Sequence, residues 1–289
     1  MANRNLAMCA ALVAIGLGVG GCGRTGPSAA TVPLPSRTAS APAASPSARA
    51  GSATPSATPR SGGLNTQAQP LAGKIVGIDP GHNGGNFNDP DAIGGQIWNG
   101  TAMEACDTTG TTTDAGYTEA QFNFNVATYL RADLRRDGAR VVMTRTSNDG
   151  VGPCVNRRSA IINDSGADVA VDIHADGGPA SGRGFTILEP EPVGPNDKVI
   201  AASARLGGDL RQAMLAGTTM PVSDYTGSDG ILPRDDLAGL NLTTVPKVLI
   251  ECGNMRNATD AGLLVTARYQ QQAAAAIAAA IVRFLGQPG

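Results

Sequence analysis

The 289-residue chain holds two histidines, His82 and His174. Both come directly after an apolar, strand-like run and before small or glycine-rich residues. That setting leaves an imidazole open to backbone and solvent, as a metal ligand beside an open coordination position requires. A single histidine so placed reads as well as an ordinary exposed or hydrogen-bonded side chain. Two in matching contexts, in a chain with no others, read as a pair of ligands. Catalytic zinc commonly takes three protein ligands and a water, and two His with one carboxylate is one such set. The best-placed carboxylate is Glu119, in Gly116-Tyr117-Thr118-Glu119. Thr118 can cap a helix whose first turn projects Glu119 into a crevice. Spacing alone reads Glu119 equally as a first-turn glutamate favoured by the helix dipole. Glu251 ends the apolar run Val248-Leu249-Ile250. A carboxylate there is costly to bury unless it is paired or working. Beside a metal it could take a proton from water; the alternative is a salt-bridged strand end.

These residues need elements to hold them. Strands are predicted at 74–78, 140–144, 168–173 and 247–250, with an edge strand at 184–188. Helices are predicted at 119–137, 156–164 and 199–216, and one long or two serial helices at 258–285. In the 119–137 segment Val126, Leu130 and Leu134 recur every four residues, and Gly138 suits the C-terminal cap. Alternating strands and helices predict an α/β fold: one domain with a central mixed, mostly parallel sheet flanked by helices. In such folds, sites gather where strands end.

The N-terminal segment differs from the rest. Residues 1–22 carry a single charge, Arg4, and an apolar run at 6–19, about the length of a signal-peptide core and shorter than a bilayer span. Val19-Gly20-Gly21-Cys22 resembles a lipobox, with Cys22 as the lipid-bearing residue. Gly16 to Gly21 also matches G-x-G-x-x-G, but no strand precedes it, so it does not signal dinucleotide binding. Residues 23–70 are rich in Ala, Ser, Thr, Pro and Gly and read as a flexible tether. The folded, catalytic part is then 71–289. Net charge is −2 and aromatics make up 3% of residues, which argues against a nucleic-acid partner.

Four segments, in order, carry a resemblance: Ile78-Asp79-Pro80-Gly81-His82, Glu119 with its helix, Val171-Asp172-Ile173-His174-Ala175-Asp176, and residues 246–257. Together they resemble the zinc-dependent N-acetylmuramoyl-L-alanine amidases of bacterial cell-wall turnover, over about residues 72–286. The resemblance implies that His82, Glu119 and His174 bind Zn²⁺ and that Glu251 is the catalytic carboxylate. It implies hydrolysis of the amide between N-acetylmuramic acid and L-alanine, with peptidoglycan or muropeptide fragments as substrate. The protein is then exported to the cell envelope as a monomer, touching membrane only through Cys22. Arg145 and Arg158 fall where the family commonly has arginines, and both read as structural. The chain departs from the family pattern at three places: Asp172 where Ser is common, Asp176 where Asn is common, and Asn254 in place of an aromatic. The segment 84–116 is longer than a compact member needs and reads as a hairpin at the rim or a partial cover.

Cysteine usage suits an exported protein. Cys9 leaves with the signal, and Cys22 takes the lipid. Cys252, beside Glu251 on a strand, points to the opposite, packed face as a buried thiol. Cys106 and Cys154 lie in polar loops and are expected to pair. Three competing functions are a zinc peptidase cutting within the stem peptide, a non-catalytic wall-binding lipoprotein, and a Ser–His hydrolase. The last is weakest, because no Gly-x-Ser-x-Gly accompanies either histidine.

Overall fold

The computed structural model describes residues 69–287. The predicted export signal, the Cys22 lipid site and nearly all of the tether lie outside the described residues. Among the described residues, no helix is long and apolar enough to cross a membrane.

In chain order the elements are β1 (Ile75–Pro80), α1 (Pro90–Gly94), β2 (Gln96–Trp98), β3 (Met103–Ala105), α2 (Glu119–Arg136), β4 (Arg140–Met143), α3 (Val155–Asp164), β5 (Val169–Asp176), β6 (Thr186–Pro190), α4 (Ile200–Gly217), β7 (Ile231–Arg234), α5 (Ala238–Asn241), β8 (Lys247–Asn254), α6 (Ala258–Leu264) and α7 (Ala267–Gly286). Six strands form one sheet in the order β4-β1-β5-β8-β6-β7. Four of its pairings are parallel; β6 runs antiparallel to β8. The α/β class with a mixed, mostly parallel sheet is therefore as expected.

One face of the sheet carries the main core. Helix α2 buries Phe122, Val126, Leu130 and Leu134, one residue per turn, against Ile78, Val171 and Ile173. The Thr118 side chain caps α2 by accepting from Gln121 N. Helix α7 packs between α2 and α4. Its buried Ala273, Ala274, Ala276, Ala278 and Ala280 let the three helices lie close while keeping high helix propensity. The 258–285 segment is two helices, because Thr266 starts a new one by accepting from Tyr269 N. Smaller clusters cover the other face, one around Ile162 of α3 and one joining Leu240 of α5 to Leu188 and Leu249.

The structure corrects the sequence reading at the sheet edge. The 184–188 run forms β6, which is an interior strand; β7 is the edge. The sequence hides β7 because its Ile-Leu-Pro-Arg contains Pro233, which cannot donate to a ladder and is tolerated only at edges. Strands β5 and β8 also extend past the predicted ends, so His174 and Glu251 stand within strands. Strand alternation, not loop conformation, therefore aims both side chains.

Glu189 on β6 offers a pH test of packing. A Cβ on Gly207 of α4 would lie 2.1 Å from its Oε1, so carboxylate and helix are in close apposition. Burial pushes its pKa from 4.5 up to about 7. An acid raised in the folded state holds its proton there longer than in the unfolded chain. The folded state is thus penalised progressively as pH rises from about 4.5 through 7. The melting-temperature advantage of Glu189→Gln over the parent should grow from pH 5 to pH 8. An advantage that is the same at both pH values rules the effect out.

Candidate active site

The site forms at the C-terminal ends of β1, β5 and β8, where ligands commonly sit in open α/β sheets. His82 lies two residues beyond β1, with a left-handed φ of 57°. That conformation costs a non-glycine residue about 1–3 kcal/mol and persists where the surroundings impose it. Here Arg158 donates to the His82 carbonyl (2.8 Å), and Arg145 donates to the carbonyls of Pro80 (2.9 Å) and Gly81 (3.2 Å). The structural reading of Arg145 agrees with these bonds. Gly81 is required by close approach, since a Cβ there would meet the His174 ring at 2.1 Å.

Glu119 opens α2, and its carboxylate faces both histidines. Its Oε1 lies 2.8 Å from His174 Nδ1 and 3.2 Å from His82 Nε2, and it accepts from Ala175 N and Asn123 Nδ2. Its Oε2 accepts from Thr111 N at 2.9 Å. The two imidazole rings meet edge to face, with centroids 4.9 Å apart. One donor atom from each of His82, Glu119 and His174 lies within 4.8 Å of the others, so this group could hold a metal ion. Glu251 is the register partner of His174 across the β5–β8 pair. It shares the same cleft of about 350 Å³, and its buried Oε2 has no hydrogen-bond partner. The structure thus brings together all four residues singled out in the sequence.

The electrostatics favour positive charge at the centre. Burial would lower the His82 pKa, but Glu119 and the hydrogen bond to Asp107 raise it to about 9. Burial also opposes charge on His174, yet Asp172 and Glu119 hold its pKa well above the usual range. Burial would raise Glu119, and the facing histidines override this and hold it well below the ordinary carboxylate value. Glu251 behaves differently. Burial pushes it up to about 8, opposed by His174 and assisted by Glu119.

The 84–116 segment forms one wall. Its hairpin, β2 with β3, is followed by Asp107 and Thr108, and Glu104, Ala105, Asp107 and Thr108 line the cleft. The hairpin turn is tied across to the β7–α5 connection, with Asn99 donating to Asp236 O and Thr101 to Asp235 O. Cys106 and Cys154 form the expected disulfide, which joins this wall to the start of α3. Cys252 is a buried free thiol, as its place in the strand suggested.

The comparisons with known proteins agree with this geometry. Residues 76–283 match the N-acetylmuramoyl-L-alanine amidase family. The chain belongs to that family. An N-acetylmuramoyl-L-alanine amidase of Mycobacterium tuberculosis is 37% identical over 220 residues, covering 76% of this chain and 89% of the relative. A germination-specific N-acetylmuramoyl-L-alanine amidase of Bacillus subtilis is 27% identical over 233 residues, covering 76% and 83%. Among solved structures, the amidase Ami1 of Mycobacterium smegmatis superposes with a TM-score of 0.71 at 39% identity, covering 75% of this chain and 98% of that one. The matched range, 76–283, spans the positions of His82, Glu119, His174 and Glu251.

Four residues that shape this candidate site were given no role in the sequence reading: Asp79, Gly81, Asp107 and Lys247. Three had a local signal. Asp79 and Gly81 lie in the segment just before His82, and Lys247 is a lone charge opening the apolar Val248-Leu249-Ile250. Asp107 had none, because it reaches His82 only through the folded insertion.

Proposed function

We propose that this protein is a zinc-dependent hydrolase that cuts the amide bond between N-acetylmuramic acid and the L-alanine of the peptidoglycan stem peptide. The observation that carries this reading is the convergence of the His82, Glu119 and His174 donor atoms beside Glu251. Family membership supports the amide specificity and a role at the cell envelope. In the same reading the chain is exported, is held to the membrane by a lipid on Cys22, and acts as a monomer on peptidoglycan or muropeptide fragments.

The residues fit zinc. Ligands at about 2.0–2.1 Å in a tetrahedron stand roughly 3.3 Å apart. The Glu119 oxygen lies 3.2 Å and 2.8 Å from the two imidazole nitrogens that face it. Two imidazoles and one carboxylate are a donor set that catalytic zinc commonly takes. The carboxylates around the two imidazoles favour the positive charge that a dication supplies. Bound there, zinc would supply Lewis acidity, polarising the scissile carbonyl and acidifying water.

Glu251 does the proton work. Its unpartnered Oε2 accepts the proton of the attacking water. The same carboxyl then delivers that proton to the leaving L-alanine nitrogen, so the amine departs neutral. Leu188, Leu240 and Leu249 line part of the same cleft.

Two measurements test the reading. The purified protein should carry one zinc per chain, and His174→Ala should lose it. Stoichiometric metal in that variant overturns the ligand assignment. Muropeptide digestion should expose a new L-alanine amine. A new amine further along the stem peptide instead identifies a peptidase.

A further inference from the structure

Behind the two histidines lies a closed path of buried charge. Asp79 of β1 and Asp172 of β5 are register partners on adjacent strands. Lys247 of β8 is 1% exposed, and its Nζ reaches Asp79 Oδ2 at 2.9 Å and Asp172 Oδ2 at 3.5 Å. Arg158 of α3 is 2% exposed and reaches the other oxygen of Asp79 at 3.2 Å and Asp107 Oδ2 at 3.0 Å. The path ends on the imidazoles. Asp107 Oδ1 lies 3.1 Å from His82 Nδ1, and Asp172 Oδ1 lies 3.3 Å from His174 Nε2. These are the ring nitrogens that face away from Glu119.

Five charges buried at one place are hard to explain by stability. Desolvating such groups costs several kcal/mol per ion, and apolar residues of similar volume commonly do as well. What the path does achieve is geometric. A carboxylate on the far nitrogen of a ligating histidine sets its tautomer and its ring orientation. Asp172 Oδ1 forms no hydrogen bond in the structure, and His174 Nε2, 3.3 Å away, is the ring nitrogen placed to donate to it.

We infer that Asp107 and Asp172 position the two histidine rings for the metal, and that Lys247 and Arg158, joined through Asp79, hold those carboxylates in place. The inference rests on the zinc reading above. Its consequence is that metal affinity depends on residues that do not touch the metal.

The test compares the parent with Asp107→Asn and Asp172→Asn, both close in shape to the native side chain. Zinc affinity is measured by chelator competition, ligand geometry by the visible spectrum of the cobalt-loaded protein, and folding by circular dichroism. Asp260→Asn serves as a control, because Asp260 is equally buried but outside the path, bonded to Arg183 and Gly184. Each path variant should bind zinc about 10–100-fold more weakly than the parent and shift the cobalt bands. The control should keep the parent's affinity and spectrum. If Asp172→Asn fails to fold, Asp172→Ser gives the same comparison with a smaller side chain. Folded path variants with the parent's zinc affinity and cobalt spectrum overturn the inference. A parent that takes up no zinc overturns the zinc reading itself, and the inference with it.

Discussion

Glu251→Ala should abolish muropeptide hydrolysis while zinc content and fold are retained. Removing a general base or acid costs about 10²–10⁴-fold, and here one carboxyl serves both roles, so the loss should lie at or beyond the upper end. Zinc should stay because Glu251 is outside the His82, Glu119 and His174 group. The fold should stay because Glu251 contributes an unpartnered buried oxygen, not a bond. Glu251→Gln, which keeps the volume and removes the proton acceptor, should be equally inactive. Hydrolysis at the parent's rate by either variant removes Glu251 from the mechanism.

Cys106→Ser with Cys154→Ser should cost about 4 kcal/mol of stability, the chain-entropy value for a loop of this size. The bond spans a sequence separation of 48. For a domain of this length, that corresponds to a fall in melting temperature of roughly 8–16 °C. Reducing the parent should reproduce it. The effect should also reach the metal. Asp107 follows Cys106 directly and pairs with His82 and Arg158, while Val155 N donates to Cys106 O at the start of α3. Loosening this junction frees the carboxylate behind His82, so the double variant should release zinc faster to a chelator. A melting temperature unmoved by reduction would show that the closed loop adds no stability.

The amino-acid sequence alone determined the parts of this protein whose causes are local. Hydrophobic runs bounded by glycine and proline marked β1, β5 and β8. Four-residue spacing marked α2, and Thr118 marked its start. The two histidines and Glu251 drew notice because each follows an apolar run, while Glu119 stood out only as a first-turn carboxylate behind the capping Thr118. The cysteine pair was legible from its polar surroundings in a chain read as exported. The tertiary structure decided what depends on register and on contacts distant in sequence. It paired His174 with Glu251 across two parallel strands and ran β6 antiparallel beside β8. It also placed β7 at the edge despite Pro233. Only the folded chain brings Asp107, from an insertion, within reach of His82, and Lys247 within reach of Asp79, 168 residues earlier. Strand propensity is a property of neighbours in the chain. A buried charge finds its partner only when sheet order and helix packing have removed the water between them.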